Sequence, residues 1–408
     1  MQTSQITMMG GGTNLISQGT YGCIFRPGFH CNGRAMNSNK YITKIQRKKG
    51  TSDHEAEIGE IIRKIPHFDE YFAPILEKPC VINMASIQDN EIKKCEFLKT
   101  LSKKNTPFES NQIKYVGKHT LAHSLLDEYH RRPRTIIKKM VESYIHLLNG
   151  YKKLNDEGVI HFDVKENNVM CEDITKKPII IDFGLSINVN KMKMENLSDI
   201  FFVYGPDYGS WTIEIAVISY IVQELGPNWK TQTITKEIFQ KIISDFIRQN
   251  YGVIDLLNEI ERRTYQSQLT KFFSKYINKT GQEVVTEMLK YKQTWDNYAV
   301  AVIYLYIIRD MHLNEYIENS VKIKGYIDYL KYILICMPDK RPEIPTSTEH
   351  VLAIFKRADR REEKKIQQKI HVESNEKERI IRQNVAKTQN KHLKQEARIY
   401  KSKQIVSL

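Results

Sequence analysis

The stretch Val159-Ile160-His161-Phe162-Asp163-Val164-Lys165-Glu166-Asn167-Asn168-Val169-Met170 carries the strongest signal in this chain of 408 residues. Polar groups sit between two apolar runs, so the segment reads as a loop anchored on both sides by short strands. Nineteen residues after Asp163 comes Asp182, in Ile179-Ile180-Ile181-Asp182-Phe183-Gly184, an apolar strand that ends in an acid two residues before a glycine. Two acids and an amide from adjacent loops supply oxygen ligands for a hard cation.

Working outward, Asn14–Phe25 (NLISQGTYGCIF) and Lys40–Gln46 (KYITKIQ) read as strands, joined by a connection rich in Gly, Pro and Asn. Asp53–Ile65 reads as a helix, with Asp53 as its cap and Pro66 as its stop. Short strands follow over 73–116, interrupted by a polar stretch, Gln88 to Asn111, that reads as a loop. Residues 120–157 read as helix, split near Pro133, and Ile213–Met337 is mostly helical in pattern. The expected class is therefore α+β, with a β-rich N-terminal part and a large helical body. The composition, 41% hydrophobic and 27% charged, excludes wholesale disorder and fibrous classes.

These motifs, in this order, resemble those of eukaryotic-type Ser/Thr protein kinases, over about residues 14–357. The details QGTYGCIFRPG, HFD and TWDNYAVA resemble most the divergent kinases of large nucleocytoplasmic DNA viruses. The spacing H-x-D-x-K-x-x-N, with Lys165 two and Asn168 five residues after Asp163, is that of the kinase catalytic loop, followed by D-F-G. The resemblance implies a bilobal fold: a flexible lead-in (1–13), an N-lobe (14–116), a C-lobe (117–355) with a helical insertion at about 221–292, and a basic tail (356–408). It implies transfer of the ATP γ-phosphoryl to Ser/Thr hydroxyls of protein substrates with Mg²⁺.

The same resemblance assigns roles. Asp163 accepts or orients the substrate hydroxyl proton, and Lys165 stabilises the transferring phosphoryl. Asn168 and Asp182 hold Mg²⁺. Ile16, Ser17, Gly19, Tyr21, Gly22 and Ile24 belong to the Gly-rich loop over the phosphates, with Ser17 where the first glycine usually stands. Lys44 contacts the α/β-phosphates, and Lys40 and Lys48 are nearby alternatives. Its ion-pair partner is expected to be Glu57, with Glu55 and Glu60 as rivals, because periodicity alone does not choose among them. The backbone of Lys114 and Val116 is expected to meet adenine, beside Ile113 as gatekeeper. His161 is expected to be structural. Asp296 is expected to brace the catalytic loop backbone, and Arg341 to pair with Glu214. Two readings compete with an active protein kinase. One is a pseudokinase scaffold, and the other a small-molecule kinase of the aminoglycoside or choline type.

Phe162 stands where such kinases usually carry an arginine that reads a phosphate on the activation loop, which weakens the case for that switch. The charge is uneven. Residues 356–408 hold sixteen Lys/Arg against seven Asp/Glu, +9 of the formal +14, so the body carries only +5. The tail reads as a solvated, partly helical extension, or as a basic arm for nucleic acid, an anionic surface or an acidic partner. Its apolar residues do not sustain a heptad. The six cysteines show no C-x-x-C spacing, and free thiols are expected. The longest apolar run, Ala299–Ile308, has the length of a core helix and is too short to span a membrane. No secretory signal is visible, so an intracellular setting is expected, in host cytoplasm or virion if the source is viral.

Overall fold

The computed structural model describes residues 14–19, 22–31, 34–36, 38–47, 51–82, 94–96, 108–315, 320–356 and 360–406. The fold is mixed α+β, and the chain divides into two compact units. The first contains Met1–Asp69, Ala73–Val116 and Asp182–Gly184; the second contains Glu70–Phe72, Gly117–Ile181 and Leu185–Leu408. The lead-in 1–13 lies outside the described residues.

In the first unit, β1 (Asn14–Gly19), β2 (Gly22–Arg26), β3 (Tyr41–Arg47), β4 (Cys80–Ile82) and β5 (Phe108–Lys114) form one antiparallel sheet in the order β1-β2-β3-β5-β4. Alternation along β2 turns Cys23 and Phe25 inward, where they pack with Phe29, Ile45, Cys95 and Phe108. The same alternation puts Lys44 on the opposite face of β3 from Ile45. The segment Phe108–Asn111 is strand, so the polar stretch read as a loop ends earlier than the sequence suggested. Its polar letters mislead because Glu109, Ser110 and Asn111 are all buried. Helix α1 (Thr51–Ile62) begins two residues before Asp53, which lies in its first turn instead of capping it.

The expectation of free thiols fails at four of six cysteines. Cys23 is bonded to Cys95 and Cys31 to Cys80, across separations of 72 and 49 residues. Pairing at such distances leaves no local spacing to read; Cys171 and Cys336 are free and buried.

The second unit is built on α2 (Leu121–Arg131), α3 (Ile136–Asp156), α4 (Ile213–Glu224), α5 (Lys236–Gln249), α6 (Tyr251–Leu256), α7 (Glu259–Phe273), α8 (Gly281–Met288), α9 (Trp295–Asp310), α10 (Val321–Ile335), α11 (Ile344–Lys356) and α12 (Arg360–Val406). Pro133 falls between α2 and α3, where its missing N–H and fixed φ end one helix and open a short turn before the next. Helix α9 is buried along nearly its whole length and forms the central post of the unit. Among the described residues no helix is long and apolar enough to cross a membrane. Two small sheets frame the polar loop: β7 (Val159–Ile160) pairs with β10 (Ile187–Asn188), and β8 (Val169–Cys171) lies between β6 (His119–Thr120) and β9 (Pro178–Ile180).

The basic tail is not a solvated extension. Most of it is the helix α12, which buries Ile370, Ile381, Val385 and Ile399 and belongs to the second unit.

Candidate active site

Two constellations emerge, one in each unit. In the first, β3 presents Lys44 opposite Ile24 of β2 and Asn111 of β5. Its Nζ lies 3.1 Å from Glu55 Oε2 and 3.1 Å from Asp182 Oδ1. Burial works against the lysine's charge, but Asp182 and then Glu55 outweigh it and hold its pKa above the ordinary lysine value. The expected partner Glu57 is therefore corrected to Glu55. Helix α1 buries Ser52, Glu55, Ala56 and Ile62, a stripe of helical period, and Glu57 lies two residues, or about 200°, around from Glu55. Ser52 ties that face to β5 through a hydrogen bond with Asn111.

The β1–β2 hairpin carries the expected phosphate loop. Gly19 pairs with Gly22, Ser17 with Ile24, and the register breaks at Ile16, which is exposed. A Cβ on Gly22 would fall 2.1 Å from the Ile45 carbonyl oxygen, so only glycine fits. Tyr21 lies outside the described residues. Lys114 closes β5 opposite Tyr41 and reaches Asp69 with its side chain; Val116 lies just beyond the strand.

In the second unit, β7 and β8 hold the polar loop between them. Asp163 Oδ2 accepts hydrogen bonds from Lys165 Nζ at 2.8 Å and Asn168 Nδ2 at 2.9 Å. Asn168 Nδ2 also donates to the Asp163 carbonyl, which closes the loop on itself. Asp163, Lys165 and Asn168 are all buried. The structure thus brings these three expected residues into one network.

Several residues fix that loop. Asp296, at the start of α9, accepts from the His161 N–H at 2.9 Å and the Phe162 N–H at 3.1 Å. His161 lies with Nε2 3.1 Å from the Ile181 carbonyl, a structural contact between the loop and the strand after it. Phe162 has a φ of 66° and Asp182 one of 61°, left-handed conformations that cost non-glycine residues free energy. Phe162 is held there by packing: its ring stacks on Trp211 at 4.9 Å and meets Phe201 edge-on, and its carbonyl accepts from Trp211 Nε1. An aromatic cluster fills the position where the resemblance led one to look for an arginine.

Three participants escaped sequence reading. The Tyr208 hydroxyl donates to Asp163 Oδ1. Glu396 of α12 lies 3.0 Å from Lys165 Nζ. Gln389 of α12 donates to Glu166, whose carboxyl burial raises to about 7. None of them sits in a motif, and two come from a segment whose polar letters read as solvent-facing. No protein-family model matches the chain, and no curated protein matches it.

Proposed function

We propose that the chain is a Mg-ATP-dependent Ser/Thr protein kinase with a kinase-like, bilobal architecture. The observation that carries this reading is Lys44 held between Glu55 and Asp182, from β3, α1 and the D-F-G segment. A lysine kept charged by two carboxylates is poised to receive phosphate oxygens, and Ile24 and Gly22 lie in the adjacent strand. The network of Asp163, Lys165 and Asn168 supports the same reading.

Asn168 and Asp182 are the residues that would hold Mg²⁺. An amide oxygen and a carboxylate are each ligand types that such an ion takes alongside water and phosphate oxygens. Among the described residues no cluster of three or more His, Cys, Asp or Glu forms a closed metal cage. When bound, the ion supplies neutralisation of charge on the phosphates. Asp163 then orients the substrate hydroxyl and takes its proton, while Lys165 offsets charge on the transferring group. Lys165, two residues after the aspartate, favours the Ser/Thr class over the Tyr class.

The test is transfer of radiolabelled γ-phosphate from Mg-ATP to the chain itself and to generic basic and acidic proteins. Wild type and Asp163→Asn run side by side, with phosphosites mapped. Incorporation on Ser/Thr that falls by on the order of 10²–10³ in the variant supports the reading. Nucleotide binding without transfer in either protein would favour a scaffold. Equal transfer in both would exclude Asp163 as the working group.

A further inference from the structure

We propose that the C-terminal helix α12 is an autoinhibitory lid that neutralises the catalytic loop of its own chain. The inference rests on the kinase reading and adds its regulation.

The helix is a packed element. Ile381, Val385, Thr388, His392, Gln395 and Ile399 are all buried and follow one another at spacings of four, three, four, three and four. That is the stripe of a helix lying along a surface. Along the stripe, Thr388 donates to Asp310 at the end of α9, at 2.6 Å.

Where this stripe passes the loop, it engages the working groups. The Glu396 carboxylate stands 3.0 Å from Lys165 Nζ, and Lys165 is only 2% exposed. An anion there occupies the position from which the lysine would serve phosphoryl oxygens. The neighbouring side chains act on the other half of the pair. Gln395 donates to the Asp207 carbonyl at 2.7 Å, and Arg398 pairs with the Asp207 carboxylate. Asp207 precedes Tyr208, whose hydroxyl donates to Asp163 Oδ1, while Lys165 and Asn168 already bond Oδ2. Both oxygens of Asp163 are thus engaged, and a substrate hydroxyl must displace Tyr208 to use one. A helix that only braced the fold would need the buried stripe; it would not need a carboxylate on Lys165.

The test uses the full-length chain in two variants. Glu396→Gln keeps the shape and removes the charge; Ile399→Asp disrupts the stripe. Two readouts are taken: the initial rate of phosphate transfer to an exogenous Ser/Thr protein, and acylation of Lys165 by an N-hydroxysuccinimide ester, located by mass spectrometry. Far-UV circular dichroism checks that each variant is folded. The expected result is that both readouts rise, several-fold for Glu396→Gln and on the order of tenfold or more for Ile399→Asp. Unchanged Lys165 acylation in both folded variants overturns the lid and leaves the kinase reading untouched. Increased acylation with an unchanged, measurable transfer rate also overturns it and makes α12 a brace. Increased acylation with no transfer in any form, including wild type, overturns the kinase reading and the regulatory role with it.

Discussion

Arg341 donates through both terminal nitrogens to the carboxylate of Glu214, 127 residues earlier in the chain, and neither side chain has exposed surface. Glu214 opens α4 and Arg341 follows α10, so the pair locks the segment ahead of α4 to the far end of the helical unit. Arg341 also donates to Thr294, the residue before α9. Burial works against the arginine's charge, but the Glu214 carboxylate outweighs it and raises its pKa. The same α9 supplies Asp296, which accepts from the His161 N–H in the loop around Asp163.

Removing one member of this pair strands a buried charge. Arg341→Met or Glu214→Gln should each lower stability by about 3–5 kcal/mol. The double change Arg341→Met with Glu214→Leu should recover much of that, because no charge is then left without its counter-ion. Urea unfolding of the three proteins decides. Equal loss in singles and double would mean that the pair matters for packing and not for charge.

The Lys44 cluster separates two glutamates that the sequence left open. Glu55→Gln should cut kcat/KM for phosphate transfer by on the order of 10², since it loosens the lysine, whereas Glu57→Gln should change it less than about threefold. Lys44→Met should remove transfer. If Glu57→Gln is the damaging change, the pairing in α1 is wrong by a helical position.

Legibility followed the range of the signal. The loop around Asp163 was readable because its polar residues lie within six positions and between apolar runs. Lys44, and Glu214 with Arg341, stood out through the resemblance, by their place in its order of motifs. Choosing Glu55 over Glu57 required the face of α1, which is set by what Ser52 and Ile62 pack against. The disulfides were invisible because tertiary packing, not local spacing, brings Cys23 to Cys95, 72 residues later. The buried stripe of α12 was missed for a related reason: three of its six members are Thr388, His392 and Gln395, so a search for apolar heptads passes over it. Glu396 and Tyr208 belong to no local pattern, and only tertiary packing places them on Lys165 and Asp163.

The aromatic bed under the loop should be required for its conformation. Phe162→Ala removes the ring that packs on Trp211, Phe201 and Trp295 and should cost about 3–5 kcal/mol. Phe162→Arg, which restores the residue the resemblance led one to expect, should be no better, because it buries a guanidinium among rings. Thermal unfolding compares them. An Arg variant as stable as wild type would show that the site can accept the phosphate-reading residue.

The disulfides give a prediction about oxidation. Non-reducing peptide mapping should find Cys23 linked to Cys95 and Cys31 to Cys80, with Cys171 and Cys336 as thiols. Replacing Cys23 and Cys95 together by Ala should lower the stability of the first unit by about 2–5 kcal/mol. Full alkylation of all six cysteines before reduction would refute both links.

The docked position of α12 should respond to pH through two groups with opposite signs. The His392 ring meets Tyr306 edge-on at 5.0 Å; burial, with Lys165 and Lys391 nearby, pushes its pKa from 6.5 down to about 4. Above 6.5 the ring is neutral whether the helix is docked or released, and it costs nothing. Between 6.5 and 4 the released helix takes up a proton that the docked one refuses. Docking therefore weakens as pH falls, by up to about 3 kcal/mol. Glu166 acts the other way. Burial raises its carboxyl from 4.5 to about 7, against the hydrogen bonds from Gln389 and Thr120. Release of α12 exposes the carboxyl and lowers its pKa, so docking is favoured while the proton is held and loses this contribution as pH rises through 7. The two effects oppose each other over the middle of the range, which leaves wild type with a shallow profile. His392→Gln should make docking strongest at acid pH, and Glu166→Gln should make it strongest above 6.5. Hydrogen exchange of the amides from Val385 to Ile399, corrected for intrinsic rates at each pH, reads this directly. Profiles that are identical in all three proteins would show that neither group titrates with docking.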